Sequence, residues 1–450
     1  MIVAVEILGN TDGFLHAHVW PRACSAPGRN SERAQDRPPH RIQPRNLSAT
    51  HCPERPGPME ALKSYGEGMP VPGATSPAVA LQSLLADLCS SPVTVEGWET
   101  LEPWAVVRVR LGGTAAARSV VVKWMQTGRD RSRTAAWRLR TELAALQFLG
   151  EDLGVGLTPR VIAADTAARF LVLEDLAPRT ALDRLLRRDG AAAHSERLVA
   201  FARARGELSA ASAGEALRYY SRRARLGPVD PAADRAGRLA PLRDTAIRHA
   251  AVLGAPVDGR ATHELTAALD ELHHPGPFLA LSNGDAEANN ILLHPSGPAD
   301  ARLIDFEYAG YTHALTDAVC LYVPGPAWMT VGDPATTGLA DHYRHALARG
   351  IAEAEDDQRY GYGLAAACMS WALVRLQRFA LLDTRPPGDP SRLQLIATLE
   401  AAARTAEAHR ALPHLTAWTH RIAALLRRRW PDADQDFADP ARFPPYRARN

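Results

Sequence analysis

Lysine is almost missing from this chain: among 52 basic residues only Lys63 and Lys123 are lysine, and the rest are arginine. Cysteine is scarce and scattered. Cys24, Cys52, Cys89, Cys320 and Cys368 lie far apart, form no CxxC pair and are odd in number, which excludes a disulfide framework or a zinc knuckle and points to a reducing compartment. No apolar run approaches the roughly 18 residues of a membrane span. The apolar start Met1 to Leu8 is interrupted by Glu6 and has no basic flank, so it makes a poor signal peptide and the expected location is cytoplasmic. Neither charge sign dominates. Lys+Arg 52 against Asp+Glu 50 leaves +2, so no overall field draws the protein to nucleic acid or to an anionic membrane. No G-x-x-x-x-G-K-[ST] occurs, which removes a P-loop NTPase from the readings.

What is present suits a folded globular protein. With 450 residues, 46% hydrophobic and 23% charged, the chain can bury a large core in two packed lobes. The first 60 residues hold eight prolines and no apolar period, the composition of a disordered arm, and Met59 or Met69 could be the translation start. The expected order is an arm over 1–75, an N-lobe over 76–177, a C-lobe over 178–430 and a tail over 431–450 that is loop or loosely docked. Ser76-Pro77 reads as a helix start ahead of Leu81, Leu84, Leu85 and Leu88. Short β-branched runs at Val93–Val95, Ala105–Leu111 and Ser119–Trp124 predict an antiparallel meander. A helix is expected from about Thr134 to Leu149, then strands near Pro159–Ala163 and Phe170–Leu173. Beyond Pro178 the pattern is helical to Trp430, interrupted by short strands near 277–308.

Several residues stand out chemically. Lys123 ends the apolar run Val120-Val121-Val122, and a lysine in an arginine-writing chain suggests that a compact ammonium is required there. Alternatively it is a strand-edge lysine whose head reaches water. Glu142 falls within the helical arc of Leu139, Leu143, Leu146 and Leu149, so its carboxylate points toward the apolar side and needs a partner, for which Lys123 is the candidate. Asp285 and Asn290 lie in a turn between apolar segments, and Asp305 ends the strand Leu303-Ile304 twenty residues later. These are hard oxygen donors suited to Mg²⁺ on phosphate oxygens, with one carboxylate left to orient a hydroxyl. Each element alone is weak; the order Lys, Glu, strand ending at Glu174, Asp285, Asn290, Asp305 is the signal.

In that order the chain resembles the aminoglycoside phosphotransferase and choline kinase superfamily, small-molecule relatives of protein kinases, over roughly residues 90 to 385. The resemblance implies an α+β, two-lobed protein-kinase-like fold: a small N-lobe with an antiparallel sheet and one key helix, and a larger, mainly α-helical C-lobe. It implies ATP and Mg²⁺ as cofactors. Lys123 would contact the α- and β-phosphates, held by Glu142, and the backbone of Glu174, Asp175 and Leu176 would meet adenine. Asp285 would be the catalytic carboxylate, Asn290 and Asp305 the metal ligands, and Asp317 a structural aspartate. Two positions depart from the pattern. Asn283 stands where the family usually has histidine, and the nucleotide-covering loop, about Glu96 to Trp104, offers only Gly97.

The acceptor is expected to be a small-molecule hydroxyl, foremost an antibiotic or secondary metabolite such as an aminoglycoside. Residues 311–450 carry 15 acids and 16 arginines, so the acidic surface that a polycation would favour is not evident. The alternative is a choline- or ethanolamine-type kinase, because Asp305-Phe-Glu-Tyr308 looks like that version of the loop. Glu307, Tyr308 and Trp371 would then form an acceptor box, although Trp371 in an apolar helical run also reads as core. A pseudokinase is the contrasting class, supported by Asn283 and the glycine-poor loop. Retention of Lys123, Glu142, Asp285, Asn290 and Asp305 together argues against it.

Overall fold

The computed structural model describes residues 81–86, 93–102, 105–113, 118–125, 132–236, 239–326, 328–437, 439 and 441–448. The expected arm and start sites, and the helix start at Ser76-Pro77, lie outside these residues.

Five strands, β1 (Val93–Glu102), β2 (Val106–Gly113), β3 (Ser119–Trp124), β4 (Val161–Asp165) and β5 (Phe170–Glu174), make an antiparallel sheet in the order β1-β2-β3-β5-β4. The period of two divides its side chains. Val120, Val122, Phe170 and Val172 join Val107, Val109 and Leu111 on one face, covered by Leu81 and Leu85 of the helical segment 81–86. On the other face Leu171 and Leu173 enter the main core beside α1 (Ser132–Gln147), which contributes Leu139, Leu143 and Leu146. Lys123 is adjacent to Val122 and therefore lies on this second face. β1 is longer than the sequence suggests: residues 96–102, expected as a loop, are paired strand with register shifts at Val95/Gly97 and Thr100/Glu102. Trp98 lies 6.1 Å from the Trp124 ring, a cross-strand aromatic contact that rewards continued pairing.

The C-lobe is mainly helical, giving the α+β architecture its second part. Its helices include α2 (Leu182–Asp189), α3 (Ser195–Ser212), α4 (Ala216–Leu226), α5 (Ala240–Val252), α6 (Gly259–His273), α7 (Leu339–Ala348), α8 (Asp357–Leu376), α9 (Pro390–Ala408) and α10 (Pro413–Arg429). Helix α8 is apolar around most of its circumference, as a helix surrounded by others must be, and Asp356 caps it by accepting from Gln358 N and Arg359 N. Short strands interrupt the helices where expected: β6 (Thr180–Ala181) pairs with β8 (Ile291–Leu293), β8 with β9 (Ala301–Leu303), and β7 (Leu279–Ser282) with β10 (Gly310–His313). The loops β7–β8 and β9–β10 carry the singled-out acids.

The segment after Trp430 is mostly loop, as the sequence allows, and aromatic side chains anchor it. Phe443, Tyr446 and Ala448 are buried, the Tyr446 ring meets Trp328 at 5.6 Å, and its hydroxyl donates to Leu321 O at 3.1 Å. Two aromatic anchors outweigh the polar, proline-rich composition that suggested a loose tail. Among the described residues no helix is long and apolar enough to cross a membrane.

Candidate active site

Lys123 reaches the second face of the sheet and is buried, 6% exposed. Its Nζ lies 2.7 Å from Glu142 Oε2, 2.5 Å from Asp305 Oδ1 and 3.5 Å from Glu307 Oε2. The β3 lysine thus joins α1 to the β9–β10 loop. Burial opposes its charge, but Asp305, Glu142 and Glu307 outweigh burial and hold the ammonium well above its ordinary value. The reciprocal effects are instructive. Burial would raise Asp305, yet Lys123 wins and holds it low. Glu142 is pushed up to about 7, first by burial and then by the neighbouring Asp305 and Glu307 carboxylates, against the pull of Lys123.

A second cation was not legible in the sequence. Arg138 stands one helical turn before Glu142 on α1 and donates from Nη1 to Glu307 Oε1 at 3.2 Å. Glu307, expected beside an acceptor, is 1% exposed and belongs to the Lys123 cluster instead. Tyr308 is half-buried and its ring faces Trp137 of α1 at 6.3 Å. Trp371 packs against the helical core from α8. The ring that meets Tyr308 is that of Trp137.

The β7–β8 loop is built by side chains that replace missing backbone partners. Ser282 Oγ accepts from Gly284 N at 2.9 Å and donates to Asp317 Oδ1 at 2.5 Å. Asn283 Oδ1 accepts from Asp285 N at 3.3 Å and from Arg205 Nη1 at 2.9 Å, while its Nδ2 donates to Ile304 O at 3.1 Å. Gly284 has φ +78, and a Cβ there would stand 2.4 Å from Tyr308 O, so only glycine fits. Asp285 is buried, and its carbonyl accepts from Asn290 Nδ2 at 3.1 Å. Asn290 O in turn accepts from Ile304 N at 3.0 Å, which ties this loop to Asp305. Asp305 has φ +63, a left-handed conformation that aspartate tolerates and that recurs at functional positions. Lys123, Glu142 and Asp305 thus touch directly, whereas Asp285 and Asn290 join them through the backbone.

At the expected adenine-facing segment, Glu174 ends β5 and accepts from Arg160 N at 3.2 Å. Asp175 binds Arg108 Nε at 2.7 Å, Ser119 Oγ at 2.7 Å and Ala177 N at 3.0 Å, so its side chain is engaged within the N-lobe. Leu176 is buried.

Hard oxygen donors suited to a divalent cation meet here: oxygens of Glu142, Asp305 and Glu307 lie within 4.8 Å of one another, and Asn290 is tied to the Asp305 loop through Ile304 N. Residues 105–362, more than half of the sequence, match the profile of the phosphotransferase enzyme family. The chain belongs to that family. It is a small-molecule kinase by membership, in keeping with the lysine, carboxylate and asparagine pattern on its two loops. Among solved structures, this phosphotransferase is similar to a choline/ethanolamine kinase family protein from Mesorhizobium loti at 17% identity, covering 78% of this chain and 98% of that one, with a TM-score of 0.40. A choline kinase from Cryptosporidium parvum Iowa II is 12% identical over 80% and 99% of the two chains, with a TM-score of 0.42. An aminoglycoside-3'-phosphotransferase of type VIII is 20% identical over 62% and 93%, with a TM-score of 0.30. No curated protein matches the sequence significantly.

Proposed function

We propose that this phosphotransferase moves the γ-phosphoryl group of ATP to a hydroxyl of a small molecule, foremost an antibiotic or secondary metabolite. The observation that carries the reading is the bonding of Lys123 to both Glu142 and Asp305, with Asp285 and Asn290 on the adjoining loop. Lys123 binds the nucleotide phosphates and Glu142 sets its direction. Asp285 orients the acceptor hydroxyl and takes its proton as the new oxygen–phosphorus bond forms, and the γ-phosphoryl leaves the ADP oxygen in line. Asp305 and Asn290 would hold Mg²⁺, which when bound neutralises phosphate charge. Backbone groups at Glu174, Asp175 and Leu176 face the adenine. No covalent enzyme intermediate is needed.

An amino-alcohol acceptor is the second reading, favoured by the Tyr308–Trp137 ring contact, since aromatic faces attract a substituted ammonium. The test is phosphate transfer from ATP and Mg²⁺ to choline, ethanolamine, aminoglycosides, macrolides, nucleoside antibiotics and sugars, with Asp285→Asn as the blank. Transfer to one class that vanishes in the blank supports the reading and chooses between acceptors. Transfer that persists in the blank removes Asp285 from its role.

A further inference from the structure

Arg205 is the least expected residue near the reacting loop: a guanidinium with 0% exposure on α3. Its neighbour Gly206 fixes its direction. A Cβ on Gly206 would lie 2.5 Å from Tyr343 O, so α3 and α7 approach backbone to backbone and Arg205 is turned toward the β7–β8 loop. There Nη1 donates to Asn283 Oδ1 at 2.9 Å and Nη2 to Glu287 O at 3.4 Å, while Asp317 Oδ2 lies 3.9 Å from Nη1. The guanidinium also lies over the Phe201 ring at 5.6 Å.

Two parallel chains of contact result. Asp317 holds Ser282, and Ser282 holds Gly284 N; Arg205 holds Asn283, and Asn283 holds Asp285 N. The amide of Asn283 performs a further task by donating to Ile304 O, immediately before Asp305. One side chain therefore spans the loops of both aspartates.

We propose that Arg205 is a positioning residue for Asp285, acting through Asn283, and that Asn283 with Arg205 forms a working clamp at a position where a pseudokinase reading would see a defect. The proposal rests on the role given to Asp285 above. A neutral amide has one oxygen to accept from both Arg205 and Asp285 N while its nitrogen holds Ile304 O. The buried arginine orients that amide, because only the oxygen can face a guanidinium.

The experiment uses the full chain with ATP, Mg²⁺ and water as the acceptor, reading phosphate release, nucleotide affinity by calorimetry and hydrogen exchange of the loop amides. Arg205→Met strips Asp317 of its counter-charge and can fail to fold, so Asn283→Ala and Asn283→Asp carry the test. Asn283→Ala should lower kcat about 100-fold, the cost of a small misplacement, with KM for ATP near wild type, a melting temperature lowered by a few degrees because buried Arg205 loses its acceptor, and faster exchange at Asp285 while Gly284, held by Ser282, stays protected. Asn283→Asp retains the oxygen for Arg205 and Asp285 N but sets an acceptor-only oxygen against Ile304 O, so it should restore protection at Asp285 and recover only part of the kcat. Wild-type kcat in Asn283→Ala, alongside an inactive Asp285→Asn, would overturn the clamp while leaving the role of Asp285 standing. If Asp285→Asn instead turns over normally, the functional reading fails, and exchange alone decides the clamp: unchanged protection in Asn283→Ala refutes it, and lost protection upholds it.

Discussion

The cluster around Lys123 and the clamp around Arg205 are both buried and both polar, yet their charge is arranged in opposite ways. At Lys123, three carboxylates face one ammonium and one guanidinium. At Arg205, one guanidinium and one carboxylate are joined by neutral Ser282 and Asn283. Burying charge is costly unless it is paired and hydrogen-bonded. The clamp sets one guanidinium 3.9 Å from one carboxylate and hydrogen-bonds each to a neutral side chain of the loop, so it suits a permanent scaffold. The Lys123 cluster brings the oxygens of three carboxylates within 4.8 Å of one another, a grouping of hard donors that suits a cation-binding site. The comparison teaches that arrangement of charge separates what holds the loop from what holds the ligand.

The sharpest division would come from substitutions that strike one side only. Asp285→Asn keeps the loop's shape and removes the proton acceptor, so kcat should fall about 10³-fold, within the range of general-base contributions, while calorimetry finds ATP affinity nearly intact. Loss of nucleotide binding instead would move Asp285 into the Lys123 cluster's work and blur the division. The next effect is on stability. The folded-state value of Glu142 is raised to about 7 from 4.5, so it favours the folded state fully below about pH 4.5 and loses that contribution as pH climbs through 7, on the order of 3 kcal/mol. Asp305, held low, acts with the opposite sign only in acid. Asp317 is raised by burial, against Arg205 and Ser282, and adds a smaller slope of the Glu142 sign. Denaturant melts from pH 5 to 8 should therefore show falling stability that Glu142→Gln largely flattens. A slope unchanged by Glu142→Gln would mean that Glu142 does not carry it.

A smaller loss is expected from Lys123→Arg. The charge remains, but the planar fork cannot occupy the place of a compact ammonium bonded at 2.7 and 2.5 Å to two carboxylates. ATP kcat/KM should drop about 10- to 100-fold, the worth of one charge-assisted hydrogen bond, with kcat for bound ATP less affected. Equal kinetics would remove the argument from the scarcity of lysine.

Much of this site was legible in the sequence because each legible residue broke a local pattern. Lys123 is a rare residue type at the end of a β-branched run, Glu142 is a charge inside a leucine stripe, and Asp305 ends an apolar strand. Period two and period 3.6 carried the sheet and α1 for the same reason. Arg138 and Arg205 broke nothing: in a chain where nearly every base is arginine, one more on a helix carries no signal, and their partners lie 169 and 78 residues away. Residues 96–102 looked like a loop because one glycine and mixed charges hide the pairing that Trp98 supports. The prolines and aspartates of the tail pointed to loop, which it mostly is, but they hid the anchoring by Phe443 and Tyr446, two apolar residues in a polar stretch.

The least certain boundary between scaffold and ligand side runs through the aromatic residues, and a pair of mild substitutions tests it. Trp371 is part of the helical core, remote in kind from the Tyr308–Trp137 contact, so Trp371→Phe should alter acceptor KM by less than about two-fold, as expected away from a site. Trp137→Leu removes the ring that faces Tyr308 and should raise acceptor KM about 3- to 10-fold, in line with the 0.5–1.5 kcal/mol of an aromatic pair. KM for ATP is the internal control. A rise in acceptor KM for Trp371→Phe with none for Trp137→Leu would return the box to the residues that the sequence suggested, and would place the acceptor against α8 rather than α1.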